Sequence, residues 1–115
     1  MQRSGSMRAR RLGDQIMREL AEMLATEIQD PRLELVTISG VRLNPNMRVA
    51  EVLYTAGGGE EHLSEVAQAL DKAKGWLRRE LGHRLKLRFV PELRFSRDTF
   101  LEDVVYGQGT DTPNP

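Results

Sequence analysis

Cysteine is absent from this chain of 115 residues. That excludes disulfides and thiolate metal sites, and it fits a reducing compartment. Aromatic residues make up only 5% of the chain, and Trp76 is the sole tryptophan. A sheet that stacks bases on interleaved aromatics, as an RRM does, is therefore not expected. No apolar run approaches the ~20 residues that span a bilayer. The opening MQRSGSMRARRLGDQ has no apolar core for a signal peptide. These absences predict a soluble, cytoplasmic chain with no membrane partner. His62 and His83 stand far apart without companion ligands, so neither a metal nor another cofactor is expected.

Net charge is lacking too, since seventeen basic side chains balance seventeen acidic ones. The balance hides segregation. Nine of the basic residues lie between Lys72 and Arg97, opposed only by Glu80 and Glu92. Residues 51–71 hold five acids and no base, and residues 1–18 carry Arg3, Arg8, Arg10, Arg11 and Arg18 against Asp14. Separate blocks of opposite sign make a dipolar surface, one face of which attracts a polyanion. The N-terminal and late basic blocks merge into one surface if the fold brings them together.

The length allows one domain with a modest core. Leu12, Ile16, Leu20, Met23, Leu24 and Ile28 recur every three or four residues, which predicts a helix over about 7–29 with an N-cap at Ser6. Asp30-Pro31 ends it. Val36 and Ile38 alternate with Thr37 and Ser39 as a strand, and Val41 and Leu43 continue in the opposite phase, so a bulge is expected at Gly40. Asn44-Pro45-Asn46 is a turn, and Ala50, Val52 and Tyr54 mark an antiparallel return strand. Gly57-Gly58-Gly59 reads as a linker, because no Gly-Lys-Ser/Thr follows it as a phosphate loop requires. Leu63, Val66, Ala67, Leu70 and Ala73 form a second helical stripe, extended by Leu77, Leu81 and Leu85. An unbroken helix would aim Lys74 into that stripe, so a kink or break that swings Lys74 into solvent is predicted at Ala73-Lys74-Gly75. Leu93 and Phe95 belong to a third strand that starts at Pro91 or lies at an edge. The expected fold class is α+β, in the order helix–strand–strand–helix–helix–strand, with helices on one face of a three-stranded sheet. Residues 1–6 are expected as a flexible basic N-terminus, 7–101 as the folded domain and 102–115 as a polar, disordered tail.

That order resembles a type II KH-like domain. The run DPRLELVTISGVRLNPNMRVAEVLYT resembles the centre of the bacterial ribosome-binding factor A family, and ALDKAKGWLRRELGHRLKLRFVPELRF resembles its second half. Ala73-Lys74-Gly75 matches the family's Ala-x-Gly interhelical element, which stands where ordinary KH domains carry a Gly-x-x-Gly loop. The resemblance implies a non-enzymatic RNA-binding factor that binds the small (30S) ribosomal subunit. It would assist late maturation of 16S rRNA, including the 5′ region, and support growth in the cold. The implied partners are the 30S subunit and 16S rRNA, with assembly GTPases as accessory partners, and the chain is expected as a monomer. Past Phe100-Leu101 the family continues with an amphipathic segment, whereas this chain reads EDVVYGQGTDTPNP.

The expected RNA-binding residues are Arg8, Arg10 and Arg11 in the basic N-terminus, Lys72, Ala73, Lys74 and Gly75 at the break, and Arg78, Arg79, Arg84, Lys86 and Arg88 beyond it. Cations contact phosphates and release counterions, while the break offers close backbone approach near a helix N-terminus. The alternatives are a solvated face kept for solubility and a simple hinge. Trp76 reads as a packing residue rather than a base-stacking one. A rival reading makes the chain a protein-binding module that uses the acidic 51–71 surface or an open sheet edge. A third is a hydrolase built on Asp98, Glu102 and Asp103, against which these acids read as a solvated acidic end with Asp98 and Thr99 capping a short terminal turn.

Overall fold

The structure is a computed structural model that describes the backbone of residues 2–105 and the side chains of residues 7–104. The part of the expected 102–115 tail beyond residue 105, and the side chains of the expected N-terminal arm, lie outside the described residues.

Helix α1 spans Gln2–Thr26, so it starts before the predicted Ser6 cap and stops short of the predicted end. Its apolar stripe is as expected: Ile16, Leu20, Met23 and Leu24 are buried, and Leu12 and Ile28 pack against them. The chain unwinds through Ile28, whose N–H bonds the Met23 carbonyl at 3.0 Å. Asp30 is extended, at φ −123° and ψ 113°, as the residue before a proline should be. A short 3₁₀ turn, Pro31–Leu33, follows.

Strands β1, Thr37–Leu43, and β2, Val49–Thr55, pair antiparallel. Their register shifts between Ile38 and Gly40, so the predicted bulge is present. It accommodates Ser39 and returns Ile38 and Val41 to the same core. Asn44 closes the hairpin turn: its Oδ1 accepts the N–H of Arg48 at 3.0 Å and of Val49 at 2.9 Å. Strand β3, Glu92–Arg97, lies parallel to β2 at the sheet edge, giving the order β1-β2-β3. Ala50, Val52, Tyr54 and Leu93 face the helices and are buried with Val66, Ala69, Leu70, Leu77 and Leu81. This is the expected α+β class, with the main helices on one sheet face.

Helix α2 spans Glu60–Arg84 without interruption. One helix thus stands where two were expected, and the break at Ala73-Lys74-Gly75 is corrected. Lys74 does fall on the inward side, but it remains half-buried, with its Nζ reaching Asp71 at 3.2 Å. A lysine stem can lie along apolar surface while its ammonium stays wet, so the conflict needs no kink. The stripe is also corrected at one position, since Ala69 is buried and Ala67 is exposed.

A short helix α3, Thr99–Val105, extends the fold past the boundary expected at Leu101. Asp98 caps it by accepting the Leu101 N–H at 3.0 Å, a side-chain cap of the usual kind. Its other oxygen accepts the Ser39 hydroxyl at 2.8 Å, which ties the cap to the β1 bulge. Glu102 is only 7% exposed. It accepts the Ala56 N–H at 3.1 Å and a two-pronged bond from Arg97 at 2.9 and 3.0 Å. These carboxylates are thus engaged in holding α3 against the sheet.

Candidate nucleic-acid interface

The outward face of α2 carries the candidate site. Lys72, Gly75, Arg79 and His83 are all exposed. At 3.6 residues per turn they fall within about 80° of arc, opposite Leu70, Leu77 and Leu81. Toward the N-terminus, Glu61, Glu65 and Gln68 continue the same outward stripe and are exposed. The stripe is therefore acidic in its first half and basic in its second. Trp76 flanks it half-buried and packs against the core, in line with a packing role.

Gly75 lies in the middle of the basic half. A Cβ built there would meet no atom within 4 Å. Nothing inside the fold requires glycine at this place, although a helix-interior glycine costs about 1 kcal/mol relative to alanine. Gly13 is the opposite case. Its Cβ would stand 2.9 Å from the Val41 carbonyl oxygen, so α1 crosses β1 there at a distance only glycine permits.

The helix ends in a reciprocal cap. The Leu87 N–H bonds the Gly82 carbonyl at 3.0 Å, and the Lys86 N–H reaches the His83 carbonyl at 3.4 Å. This is the Schellman pattern, and it places Lys86 in the left-handed region at φ 54°. Glycine usually takes that position. Here a lysine holds it, and the chain turns into the loop with Lys86, Arg88 and Phe89 exposed.

Two expected contact residues have other partners. Arg84 sits among three carboxylates: it is paired with Glu27 and Glu80, the latter at 3.2 Å, and Glu19 lies 3.7 Å away. The hydrogen bond to Glu27 holds its guanidinium well above the ordinary arginine value and draws the Glu27 carboxyl below its own. Arg84 therefore joins α2 to α1 rather than facing solvent. Arg78 donates from Nε to the Pro91 carbonyl at 3.0 Å and from Nη2 to the Val90 carbonyl at 2.8 Å. It fixes the entry to β3 and keeps three of its five N–H groups for another partner. Ala73 and Lys74 are half-buried on the inner flank, so only Gly75 of that trio faces out.

The N-terminal arginines Arg8, Arg10 and Arg11 are exposed on α1. Leu12, directly after them, lines a groove of about 560 Å³ together with Met47, Arg48, Arg78, Phe89 and Val90. The first turns of α1, the β1–β2 turn and the loop after α2 thus meet at one end of the molecule. Arg78 of the late basic block is thereby brought beside the part of α1 that follows Arg8, Arg10 and Arg11, whereas Lys72 and Arg84 lie nearer the other end of α1, by Asp30 and Glu27. Arg48, at the β1–β2 turn, joins Arg78 in the groove and was not among the expected contacts, because an isolated arginine beside a turn carries no signal of its own. Among the described residues, no cluster of three or more His, Cys, Asp or Glu side chains is arranged to hold a metal. No helix among them is long and apolar enough to cross a membrane.

Comparison with known proteins gives a consistent result. A family pattern described as ribosome-binding factor A matches residues 8–108. Ribosome-binding factor A of Thioalkalivibrio sulfidiphilus is 45% identical over 91 residues, covering 79% of this chain and 70% of the relative. That of Staphylococcus carnosus is 40% identical over 96 residues, covering 84% of each. The crystal structure of ribosome-binding factor A from Thermus thermophilus superposes with a TM-score of 0.69 at 34% identity, over 77% of this chain and 93% of that one. A model of the Thermus thermophilus factor fitted into an electron-microscopy map of its 30S complex gives 0.64 at 34% identity, over 76% of this chain and 92% of that one. With the fold shared and the sequence pattern matched across nearly all of the described residues, the chain belongs to the ribosome-binding factor A family.

Proposed function

We propose that this protein binds the small (30S) ribosomal subunit through RNA and assists late maturation of 16S rRNA, including its 5′ region, without catalysing a covalent step. A role in growth at low temperature and a cytoplasmic location belong to the same reading. The observation that carries it is the exposed stripe Lys72–Gly75–Arg79–His83, continued by Lys86 and Arg88. Lys72, Arg79, Lys86 and Arg88 have no ion-pair partner among the described residues, and they lie around a glycine that the fold itself does not need. Phosphates are drawn by the cations, and the bare helix backbone at Gly75 lets a sugar-phosphate chain come close. The relative captured on a 30S subunit supplies the target. Few groups on the stripe read base edges, so recognition rests on the shape of folded RNA and the spacing of its phosphates.

The test is co-sedimentation with mature and immature small subunits across a salt series. Affinity should fall steeply with salt, and the slope should flatten by about one for each phosphate contact removed. Lys72→Glu combined with Arg79→Glu should weaken binding at least tenfold in a folded protein. Arg78→Glu is unsuitable, since it would also release the Val90 and Pro91 carbonyls. A folded double variant with full affinity, or a flat salt titration, would refute the assignment.

A further inference from the structure

Phe89 is 82% exposed in a chain with few aromatics. It follows Lys86 and Arg88, both exposed, in the loop that begins at the left-handed turn at Lys86. Phe89 also forms one wall of the groove whose other apolar surfaces are Leu12, Met47 and Val90. The volume of about 560 Å³ lies in the ordinary range of small-ligand clefts, roughly 300–1,000 Å³. Met47 is held in place by its own turn, with its N–H bonded to the Asn44 carbonyl at 2.8 Å and φ at 60°.

The groove combines an aromatic face with fixed positive charge. Arg48 and Arg78 line it, and the latter is immobilised by its two carbonyl bonds. Arg8 lies one turn before Leu12 on the same side of α1. The acid in the groove, Glu92, is paired with Arg94 at 3.2 Å, so its charge is locally compensated. An apolar peptide would gain nothing from this ring of cations, and an acidic one would leave the aromatic face without a counterpart. An unstacked nucleotide uses both: its base lies on the ring of Phe89 and its phosphates meet Arg48, Arg78 and the loop cations.

We infer that the groove beside Phe89 receives one unstacked base of single-stranded RNA, as a stacking contact separate from the phosphate contacts of the α2 stripe. The inference rests on the proposed RNA-binding role and adds a subsite to it. It also gives the mostly shape-reading surface an anchoring point that distinguishes a looped-out strand from a continuous duplex.

The experiment measures binding of the full chain to purified small subunits, at several salt concentrations, for Phe89→Ala, Phe89→Trp and Phe89→Leu. Because Phe89 is exposed, none of the three should disturb the fold, which thermal unfolding checks directly. Phe89→Ala is expected to bind about tenfold more weakly or worse, with an unchanged salt slope, because stacking moves no counterions. Phe89→Trp should restore the affinity, while Phe89→Leu should not. Full affinity in Phe89→Ala would overturn the subsite while leaving the α2 reading intact. Full affinity in Phe89→Leu together with loss in Phe89→Ala would mean an apolar protein contact and would overturn it equally. Failure of the wild-type chain to bind small subunits would instead refute the proposed function, and the subsite with it.

Discussion

Gly75→Ala should make this protein more stable and less able to bind. The residue lies inside α2, fifteen residues past Glu60 at its start, where alanine is favoured over glycine by about 1 kcal/mol. The added methyl meets no atom within 4 Å, so no steric penalty offsets the gain. For a domain of this size the expected rise in Tm is about 4–8 °C. The same methyl stands on the stripe where RNA is proposed to approach, between Lys72 and Arg79. Holding a phosphate backbone away by the thickness of a methyl should weaken several contacts together, and a tenfold loss, about 1.4 kcal/mol, is expected. The assays are thermal unfolding and small-subunit co-sedimentation on the same preparation. Gly13→Ala is the control for the stability half. There the Cβ falls 2.9 Å from a β1 backbone oxygen, and overpacking of about 1–3 kcal/mol exceeds the helix gain, so a net loss of about 1 kcal/mol is expected. A stabilised Gly75→Ala that binds as well as wild type would refute the close approach. A destabilised one would refute a regular, unbroken helix through 73–75.

Lys86→Gly should raise stability by about 0.5–1 kcal/mol in urea unfolding, because the left-handed C-cap position no longer strains a side chain. Asp30 is drawn down from 3.8 to about 2, chiefly by the side-chain hydrogen bond from Arg32. Its folded pKa lies below its unfolded one, so its contribution is complete above about pH 4 and is lost as the pH falls toward about 2. Asp30→Asn keeps a capping oxygen for the Arg32 N–H and should flatten the acid limb of a stability–pH profile within that window. Glu102→Ala should destabilise the domain by about 2 kcal/mol, since it strands the Ala56 N–H and releases Arg97. Amide exchange at Ala56 should accelerate in the same variant.

Local patterns in the chain carried much of this fold. The α1 stripe from Leu12 to Ile28 was legible because one face of one helix is buried along its length. The bulge near Gly40 was legible because the apolar phase flips across it. Asn44-Pro45-Asn46 announced its turn by composition. The residues whose surroundings were not legible depend on partners distant in sequence. Arg84 looks like part of a basic run until α1 supplies Glu19 and Glu27. Arg78 looks free until the loop before β3 offers two carbonyls. Lys74 looked incompatible with an unbroken helix because counting residues around a helix ignores the length of a lysine stem. Gly13 gave no signal, because a close crossing becomes visible only with the second element present. The short terminal turn capped by Asp98 was legible, but its extension to Val105 was not, because Ser39 holds that cap from across the sheet.

The division of charge along α2 has a further consequence. Acids at the start of a helix and bases at its end both offset the helix macrodipole, so Glu60 and Glu61 at one end and Arg84 at the other suit the helix itself. The helix is about 37 Å long at 1.5 Å per residue, several times the physiological Debye length of about 8 Å. A polyanion near one end therefore hardly senses the other, and the chain experiences a turning force before it experiences a pull. Although neutral overall, the molecule should turn like a compass needle in the field of a polyanion such as the proposed RNA. The same arrangement links helix stability to orientation, so exchanging acids and bases along α2 should disturb both together.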